Sequence, residues 1–90
     1  MSIKVHIHKT HRQFTGGKDV LETMGNNVAE CLKNLIAQYP DMEKTLFKEK
    51  GELKNTIEVY VNHESAYPDE LKKVVKDGDV IHLILMIAGG

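Results

Sequence analysis

The sequence predicts an α+β fold in which one main helix lies across one face of a mixed sheet. Two observations predict this class. Alternating apolar residues mark short strands towards both ends of the chain, and the segment between them has the apolar spacing of an amphipathic helix. The order strand, strand, helix, strand, strand makes a hairpin, a crossover helix and a return into the same sheet. One face of the sheet is then covered and the other is open.

The composition is that of an ordinary globular protein. Its 90 residues, 41% hydrophobic and 28% charged, suffice for one domain, residues 1–90, with a real core. The net charge is −1 and the charges are interspersed, which argues against a nucleic-acid partner because phosphate binding needs a concentrated basic surface. The small excess of Lys48, Lys50 and Lys54 indicates a solvated face.

Neither export nor membrane insertion is indicated. The single cysteine, Cys31, excludes an internal disulfide and fits a reducing compartment. The N-terminus lacks a signal pattern, and the longest apolar run, 83–88, is far shorter than the ~20 residues that span a bilayer. We expect a cytoplasmic protein with no membrane partner.

The first two strands form the hairpin. Alternation over 3–7 predicts a half-buried strand, and the Gly-Gly within 11–18 predicts a turn. Residues 19–24 return as the second strand, with Val20 and Met24 inward.

The main helix begins at Asn27 and ends before Pro40. Asn27 followed by Glu30 is typical of a helix cap, and proline excludes the helical region for the residue before it. The buried stripe is Val28, Cys31 or Leu32, Leu35, Ile36 and Tyr39.

A second short helix, a loop and a strand follow. Asp41 is expected to cap the turn 42–47, and the polar residues 48–55 form the loop. Residues 56–62 form a strand, 62–65 a turn, and 67–71 a short helical or irregular stretch. Val74 and Val75 offer further burial.

The last strand organises the chain. Asp77-Gly78-Asp79 predicts a tight turn into a strand over 80–87 that is apolar on both faces, as a central strand is. The odd-numbered residues are the cleaner apolar set and are expected to be buried: Ile81, Leu83, Leu85 and Ile87. The even-numbered set, with His82, Ile84 and Met86, then forms an exposed patch that marks a docking surface.

The chain closes on Ala88-Gly89-Gly90, which adds no bulk to a core. Such a tail can pass through a narrow channel and present its terminal carboxylate to another protein's active site. Four extended residues reach only about 13 Å, so the partner must contact the domain surface. We interpret the Gly90 carboxylate as the working group.

Histidines and the cysteine offer alternatives. His6, His8 and His82 are expected on one sheet face, where three imidazoles can bind zinc, but solvent-facing histidines are ordinary and no carboxylate or cysteine has matching spacing. We expect no metal site. Cys31 is interpreted as a core thiol, since Glu30 has the wrong sign to stabilise a thiolate.

Taken together, these motifs resemble the ubiquitin-like sulfur carriers of the MoaD/ThiS family. The motifs are Asn27-x-x-Glu30-Cys31-Leu32-x-x-Leu35, Tyr39-Pro40, Leu46-Phe47, Val59-Tyr60-Val61-Asn62, Val75-Lys76-Asp77-Gly78-Asp79 and Ile87-Ala88-Gly89-Gly90. The resemblance implies a β-grasp fold in which the last strand lies beside the first.

It also implies a chemistry. An adenylyltransferase resembling the ubiquitin-activating enzyme activates the Gly90 carboxylate with ATP, and sulfur from a sulfide or persulfide donor displaces AMP to leave a thiocarboxylate. That sulfur passes to a biosynthetic enzyme. Ala88 and Gly89 lead into the partner's active site, and the carrier itself is a monomer without catalytic activity or a resident cofactor.

Three alternatives stay open. The stretch 11–17, with its arginine and Thr-Gly-Gly, resembles the cysteine-synthesis (CysO-type) carriers, whereas the molybdopterin-synthase small subunit is the second candidate. Arg12 and Phe14 in this stretch join His82, Ile84 and Met86 in the expected docking patch. The second alternative is a protein modifier that is joined through Gly90 to lysines of target proteins. The third is a β-grasp binding module whose tail is incidental.

Overall fold

The computed structural model describes residues 2–49 and 51–85 of the chain. Within them lie five strands, two α-helices and two 3₁₀ helices. The strands are β1 (Ile3–His6), β2 (Val20–Thr23), β3 (Ile57–Val61), β4 (Glu64–Ser65) and β5 (Val80–Leu85). The α-helices are α1 (Val28–Gln38) and α2 (Met42–Leu46), and the 3₁₀ helices cover Lys9–Thr15 and Glu70–Lys72.

The strands form one mixed sheet in the order β2-β1-β5-β3-β4. β5 lies in the middle, parallel to β1 and antiparallel to β3, and the other pairs are antiparallel. The last strand therefore lies beside the first, and a helix crosses between the two halves of the sheet. The predicted α+β class and the β-grasp arrangement are confirmed.

The core lies between one face of the sheet and α1. Strand residues of odd number alternate inward on β1, β3 and β5, and the stripe on α1 packs against them. The buried apolar residues are Ile3, Val5, Ile7, Leu21, Val28, Cys31, Leu32, Leu35, Met42, Leu46, Ile57, Val59, Val61, Ala66, Val75, Ile81 and Leu83. Full burial of one such aliphatic side chain contributes about 1.5–3 kcal/mol, so this layer supplies the main stabilisation of the fold.

The cap predicted for α1 is confirmed. The Asn27 Oδ1 atom accepts a 2.8 Å hydrogen bond from the Glu30 amide, and the Glu30 carboxylate accepts a 2.9 Å bond from the Asn26 amide. The helix ends at Gln38, one residue before the position that Pro40 restricts.

Neither this helix nor any other in residues 2–49 and 51–85 is both long and apolar enough to cross a membrane.

Two predicted orientations are wrong. Val20 and Met24 are 36% and 60% exposed, whereas Leu21 and Thr23 point inward. The register decides this, because Leu21 pairs with Val5 and both belong to the covered face. Likewise Val75 is buried, but its neighbour Val74 is 74% exposed.

Three local predictions also need correction. The first connection holds a 3₁₀ helix, Lys9–Thr15, before Gly16 enters the left-handed region at φ 65°. The segment after β3 contains the short strand β4, reached through a turn with Asn62 and His63 at positive φ. Asp41 itself has helical dihedrals and makes no side-chain cap, so α2 starts without one.

Candidate docking face

The turn before β5 is held on both sides. The Ser2 amide donates a 2.6 Å bond to the Asp77 carboxylate, and the Gly78 amide donates to the Ser2 carbonyl at 3.0 Å. Gly78 has φ 89°, which a residue with a side chain adopts only with strain. The start of β5 is therefore attached to the start of β1 before the ladder between them begins.

A second clamp joins this turn to the end of β3. The Asn62 side chain donates to the Asp79 carboxylate at 2.9 Å and accepts from the Val80 amide at 3.0 Å. The other Asp79 oxygen accepts from the Lys76 amide at 2.9 Å. The bond from Asn62, and then that from the Lys76 amide, lower the pKa of Asp79. β5 thus leaves the turn in a defined direction.

The even-numbered residues of β5 lie on the open face, as predicted. Val80 and His82 are half-buried and Ile84 is 38% exposed, while Ile81 and Leu83 are buried on the other face. Met86, Ile87, Ala88, Gly89 and Gly90 lie outside the described residues, as does the side chain of Leu85. The docking role of Met86 and the chemical role of Gly90 stay predictions.

Three imidazoles meet on the open face. His6 stacks on His82 with ring centroids 4.4 Å apart and an angle of 28° between the ring planes, because the two residues pair in the parallel β1–β5 ladder. The ring of His63 lies 5.2 Å from that of His82. We call these three residues the histidine cluster.

The histidine cluster differs from the expected trio. His8 is not part of it, since its ring bonds to Thr10 and lies 6.3 Å from that of His11. His63 takes its place because it lies in the tight turn directly after β3, the strand next to β5, where its ring reaches that of His82. The sequence signal that could have placed His63 here is the polar pair Asn62-His63 directly after β3, which forms the two-residue turn before β4.

Electrostatics favour neutral imidazole at the centre of the cluster. Burial lowers the pKa of His82, and the neighbouring His6 and His63 lower it further. The Nδ1 atom of His82 is buried without a hydrogen-bond partner. In residues 2–49 and 51–85, no group of three or more histidine, cysteine or acidic side chains is arranged to hold a metal ion.

β3 extends the same face. Tyr60 lies opposite His82, and Glu58 lies opposite Ile84. The Tyr60 hydroxyl donates a 3.1 Å bond to the Glu58 carboxylate, which raises the pKa of Tyr60. The face around the histidine cluster therefore offers aromatic and apolar surface beside one tethered carboxylate.

Arg12 and Phe14 lie in the connection after β1. The Arg12 Nε–H donates to the Ile7 carbonyl at 3.3 Å, and Phe14 packs half-buried against the core. Phe14 also lines a 580 Å³ pocket with residues of α2, which groups it with the helices rather than with His82 and Ile84. A role for either residue in docking stays a prediction.

The cysteine is part of the core, as predicted. Cys31 is fully buried in α1, and its thiol pKa is raised to about 11, chiefly by burial and also by the neighbouring Glu30. A thiol with this pKa is overwhelmingly protonated at neutral pH, and the thiolate is the nucleophilic form. Cys31 is therefore unsuited to carry sulfur itself.

Comparison with known proteins matches the chain to one family along most of its length. The model of the ThiS family matches residues 5–90. Sulfur carrier protein CysO of Mycobacterium tuberculosis is 27% identical over 93 residues, an alignment that covers all of both chains.

Solved structures agree with this match. One chain of the BexX/CysO complex of Amycolatopsis orientalis is 32% identical, with a TM-score of 0.88 over 98% of this chain and 99% of that one. Small archaeal modifier protein 1 of Methanosarcina acetivorans is 26% identical, with a TM-score of 0.85 over 99% and 96% of the two chains. The β-grasp arrangement is thus common to this chain and to both a sulfur carrier and a protein modifier.

Proposed function

We propose, on the premise that this chain belongs to the ThiS family, that it carries sulfur as a thiocarboxylate on Gly90. The observation that carries the proposal is that the family match runs through the terminal Ala88-Gly89-Gly90. The full-length similarity to the sulfur carrier protein CysO supports the same role. The chain is then a co-substrate, and its partners supply the catalysis.

The chemistry requires activation. A carboxylate is a poor acyl donor because its negative charge repels a nucleophile and its oxygen leaves badly. Attack of the Gly90 carboxylate on the α-phosphate of ATP, bound by an adenylyltransferase, releases pyrophosphate and leaves an acyl adenylate. A sulfide or persulfide sulfur then attacks the acyl carbon and AMP leaves; a persulfide also needs a reductant thiol to release the thiocarboxylate.

The contribution of the fold is a well-held strand, β5, directly before residues 86–90. β5 is clamped at its start, pairs with β1 as far as His82, and pairs with β3 as far as Leu85, which lies opposite Ile57. Five residues beyond Leu85 extend at most about 18 Å. A partner that binds Gly90 in its active site must therefore approach the end of β5, next to the face that holds His82 and Ile84.

The receiving pathway that we favour is synthesis of cysteine or a related amino acid. The CysO likeness and the Thr15-Gly16-Gly17 stretch support this choice. The Amycolatopsis CysO is solved in a complex with BexX, which shows that a relative of this chain engages a protein partner. Molybdopterin synthesis remains the alternative acceptor pathway.

Intact mass spectrometry tests the proposal. The chain is incubated with ATP, sulfide and the adenylyltransferase of its own organism, and we expect the mass gain of one oxygen replaced by sulfur. The variant that lacks Gly90 must show no gain, and Cys31→Ser must gain as the wild type does. An unchanged wild-type mass alongside ATP consumption by the partner would refute the carrier role.

A protein-modifier role is the second candidate, favoured by the similarity to small archaeal modifier protein 1. Activation of Gly90 would be the same, but a lysine amine would attack the acyl carbon instead of sulfur. Proteomic detection of Gly-Gly remnants on lysines, dependent on this chain, would support it. Their absence in cells where the thiocarboxylate forms would exclude it.

A further inference from the structure

The histidine cluster gives the open face a property that the sulfur-carrier role does not require. Its three rings are close enough that charge on one opposes charge on the next, with centroids 4.4 Å and 5.2 Å apart. Their neighbours on β5 are Val80 and Ile84, which carry no charge. The cluster is therefore an aromatic, uncharged surface only while its imidazoles are neutral.

The strands around the histidine cluster offer few negative charges to offset protonated imidazoles. The ionisable residues on the neighbouring strands are Lys4 on β1, Glu22 on β2, Glu58 and Tyr60 on β3 and Glu64 on β4. Glu58 is the acidic residue of β3 on this face, and it already accepts the Tyr60 hydroxyl. Glu22 on β2 lies opposite Lys4, which is two residues before His6 on β1. No carboxylate contacts an imidazole of the cluster among the described residues, so protons added there stay uncompensated.

We propose that the histidine cluster makes docking on the open face proton-sensitive: the adenylyltransferase binds the neutral cluster and is released when the cluster gains protons. This proposal rests on the proposed function, because it needs a partner that docks beside the tail. The partner surface that fits Ile84, Val20 and the stacked rings is apolar and uncharged.

The sign of the effect follows from linkage. A partner that covers His82 removes more water from the ring and so lowers its pKa below that of the free carrier. Docking then expels protons that His82 holds in the free carrier, and affinity falls as the pH drops through the pKa of His82 in the free carrier. An acidic partner surface would have the opposite effect and would bind more tightly at low pH.

Calorimetric titration of the carrier with its adenylyltransferase, in the absence of ATP, tests this. For the wild type we expect the Kd to rise about three- to tenfold between pH 7.5 and pH 5.5. Repeating the titration near pH 6 in buffers of different ionisation enthalpy counts the protons released on docking. The partner's own titration is common to all variants and cancels when each variant is compared with the wild type.

Matched variants test whether the pH dependence of docking comes from the histidine cluster. In His82→Gln we expect proton release to fall by at least half and the rise in Kd to stay below about twofold. In His6→Gln the pKa of His82 rises, because one neighbouring imidazole that lowers it is gone, so the rise in Kd should begin at a higher pH than in the wild type. Two variants are used so that a folding defect in one does not decide the result. His8→Gln removes a histidine outside the cluster and should behave as the wild type does.

The outcomes separate the two proposals. A Kd ratio that is the same in wild type and both cluster variants, or tighter wild-type binding at pH 5.5, overturns proton-sensitive docking while thiocarboxylate formation still supports the carrier role. If no thiocarboxylate forms at any pH, the proposed function fails and this inference fails with it.

Discussion

At the scale of single residues, the side chains that position β5 are polar and lie outside the core. Asn62 and Asp79 connect the end of β3 to the start of β5 through two side-chain bonds and a backbone bond from the Asn62 amide to the Val80 carbonyl at 2.9 Å. Each bond is worth about 1 kcal/mol net, and more where one partner is charged. The direction of the tail-bearing strand therefore depends on two residues that an apolar pattern does not identify.

Asp79→Ala should lower the free energy of unfolding by about 1–3 kcal/mol at pH 7, because it leaves the Asn62 side chain and the Lys76 amide without their acceptor. The folded pKa of Asp79 is depressed, so its contribution is present above the unfolded value of about 3.9 and is lost as the pH falls through the folded value. Urea denaturation at pH 7, 5 and 3 measures this.

The difference between wild type and Asp79→Ala should therefore be constant from pH 7 to pH 5 and shrink at pH 3. Asp69→Ala is the matched control, since the Asp69 side chain caps nothing. A difference that grows on acidification would contradict the role given to the Asp79 carboxylate.

Gly25 is required by a close approach, in addition to its φ of 158°, which residues with a side chain rarely adopt. A Cβ atom there would lie 2.7 Å from the Glu30 Cβ and 2.8 Å from the Cys31 amide nitrogen. Gly25→Ala should cost about 1–3 kcal/mol through displacement of α1. Gly51→Ala is the comparison for backbone strain alone, because a Cβ there meets no atom within 4 Å. Thermal unfolding of both variants measures the two costs, and equal losses would show that the contact at Gly25 is unimportant.

At the scale of elements, α1 contributes more than an apolar stripe. Its Asn34 side chain donates to the Met24 carbonyl at 2.6 Å, and that of Gln38 donates to the Glu22 carbonyl at 3.5 Å. These bonds occupy one carbonyl of the edge strand β2 and one directly after it, both of which would otherwise be free to pair with another strand. The helix thus covers the core and also protects one edge of the sheet.

Asn27→Ala should lower stability by about 1 kcal/mol, since the Glu30 amide loses its side-chain acceptor. Glu30→Ala removes the reciprocal bond to the Asn26 amide. A double-mutant cycle measured by urea denaturation should give a coupling energy of about 0.5 kcal/mol or more between the two residues. Strict additivity would mean that the two bonds form independently.

At the scale of the whole molecule, one face of the sheet is covered by α1, and within the described residues the other face is open. The covered face holds the apolar residues of β1, β3 and β5, while the open face holds the histidine cluster, Tyr60 and Ile84. Because β5 is central, its outward residues lie in the middle of that open face. A partner docked there is next to the strand that leads into the tail.

Ile84→Lys should weaken adenylyltransferase binding about tenfold or more while leaving stability within about 0.5 kcal/mol. The lysine charge must be desolvated on docking, but in the free protein it lies opposite Glu58. The Kd and the melting temperature measure the two effects. Val74→Lys, at an exposed apolar residue beside the start of α1, is the control and should bind normally. Equal binding by both variants would exclude Ile84 from the interface.

The sequence by itself determined the fold class, the cap of α1, the buried stripe, the central position of the last strand and the burial of Cys31. These follow from local rules: apolar periodicity, the Asn27–Glu30 spacing, the restriction before Pro40 and an apolar run on both faces of β5. The family resemblance added the strand order and the role expected of Gly90. The ThiS family match over residues 5–90 confirms the family, and the role of Gly90 stays a prediction.

Only the tertiary structure decided the inward face of β2, the strand β4 and the membership of the histidine cluster. Each depends on register, and a shift of one residue moves every side chain to the other face without changing the apolar content of the segment. Val20 is exposed because Leu21 pairs with Val5, and His63 joins His82 because it lies in the left-handed turn at the end of β3, the strand that pairs with β5. Periodicity within one strand contains no information about its neighbour, so the residues that share the open face are known only when the strands are paired.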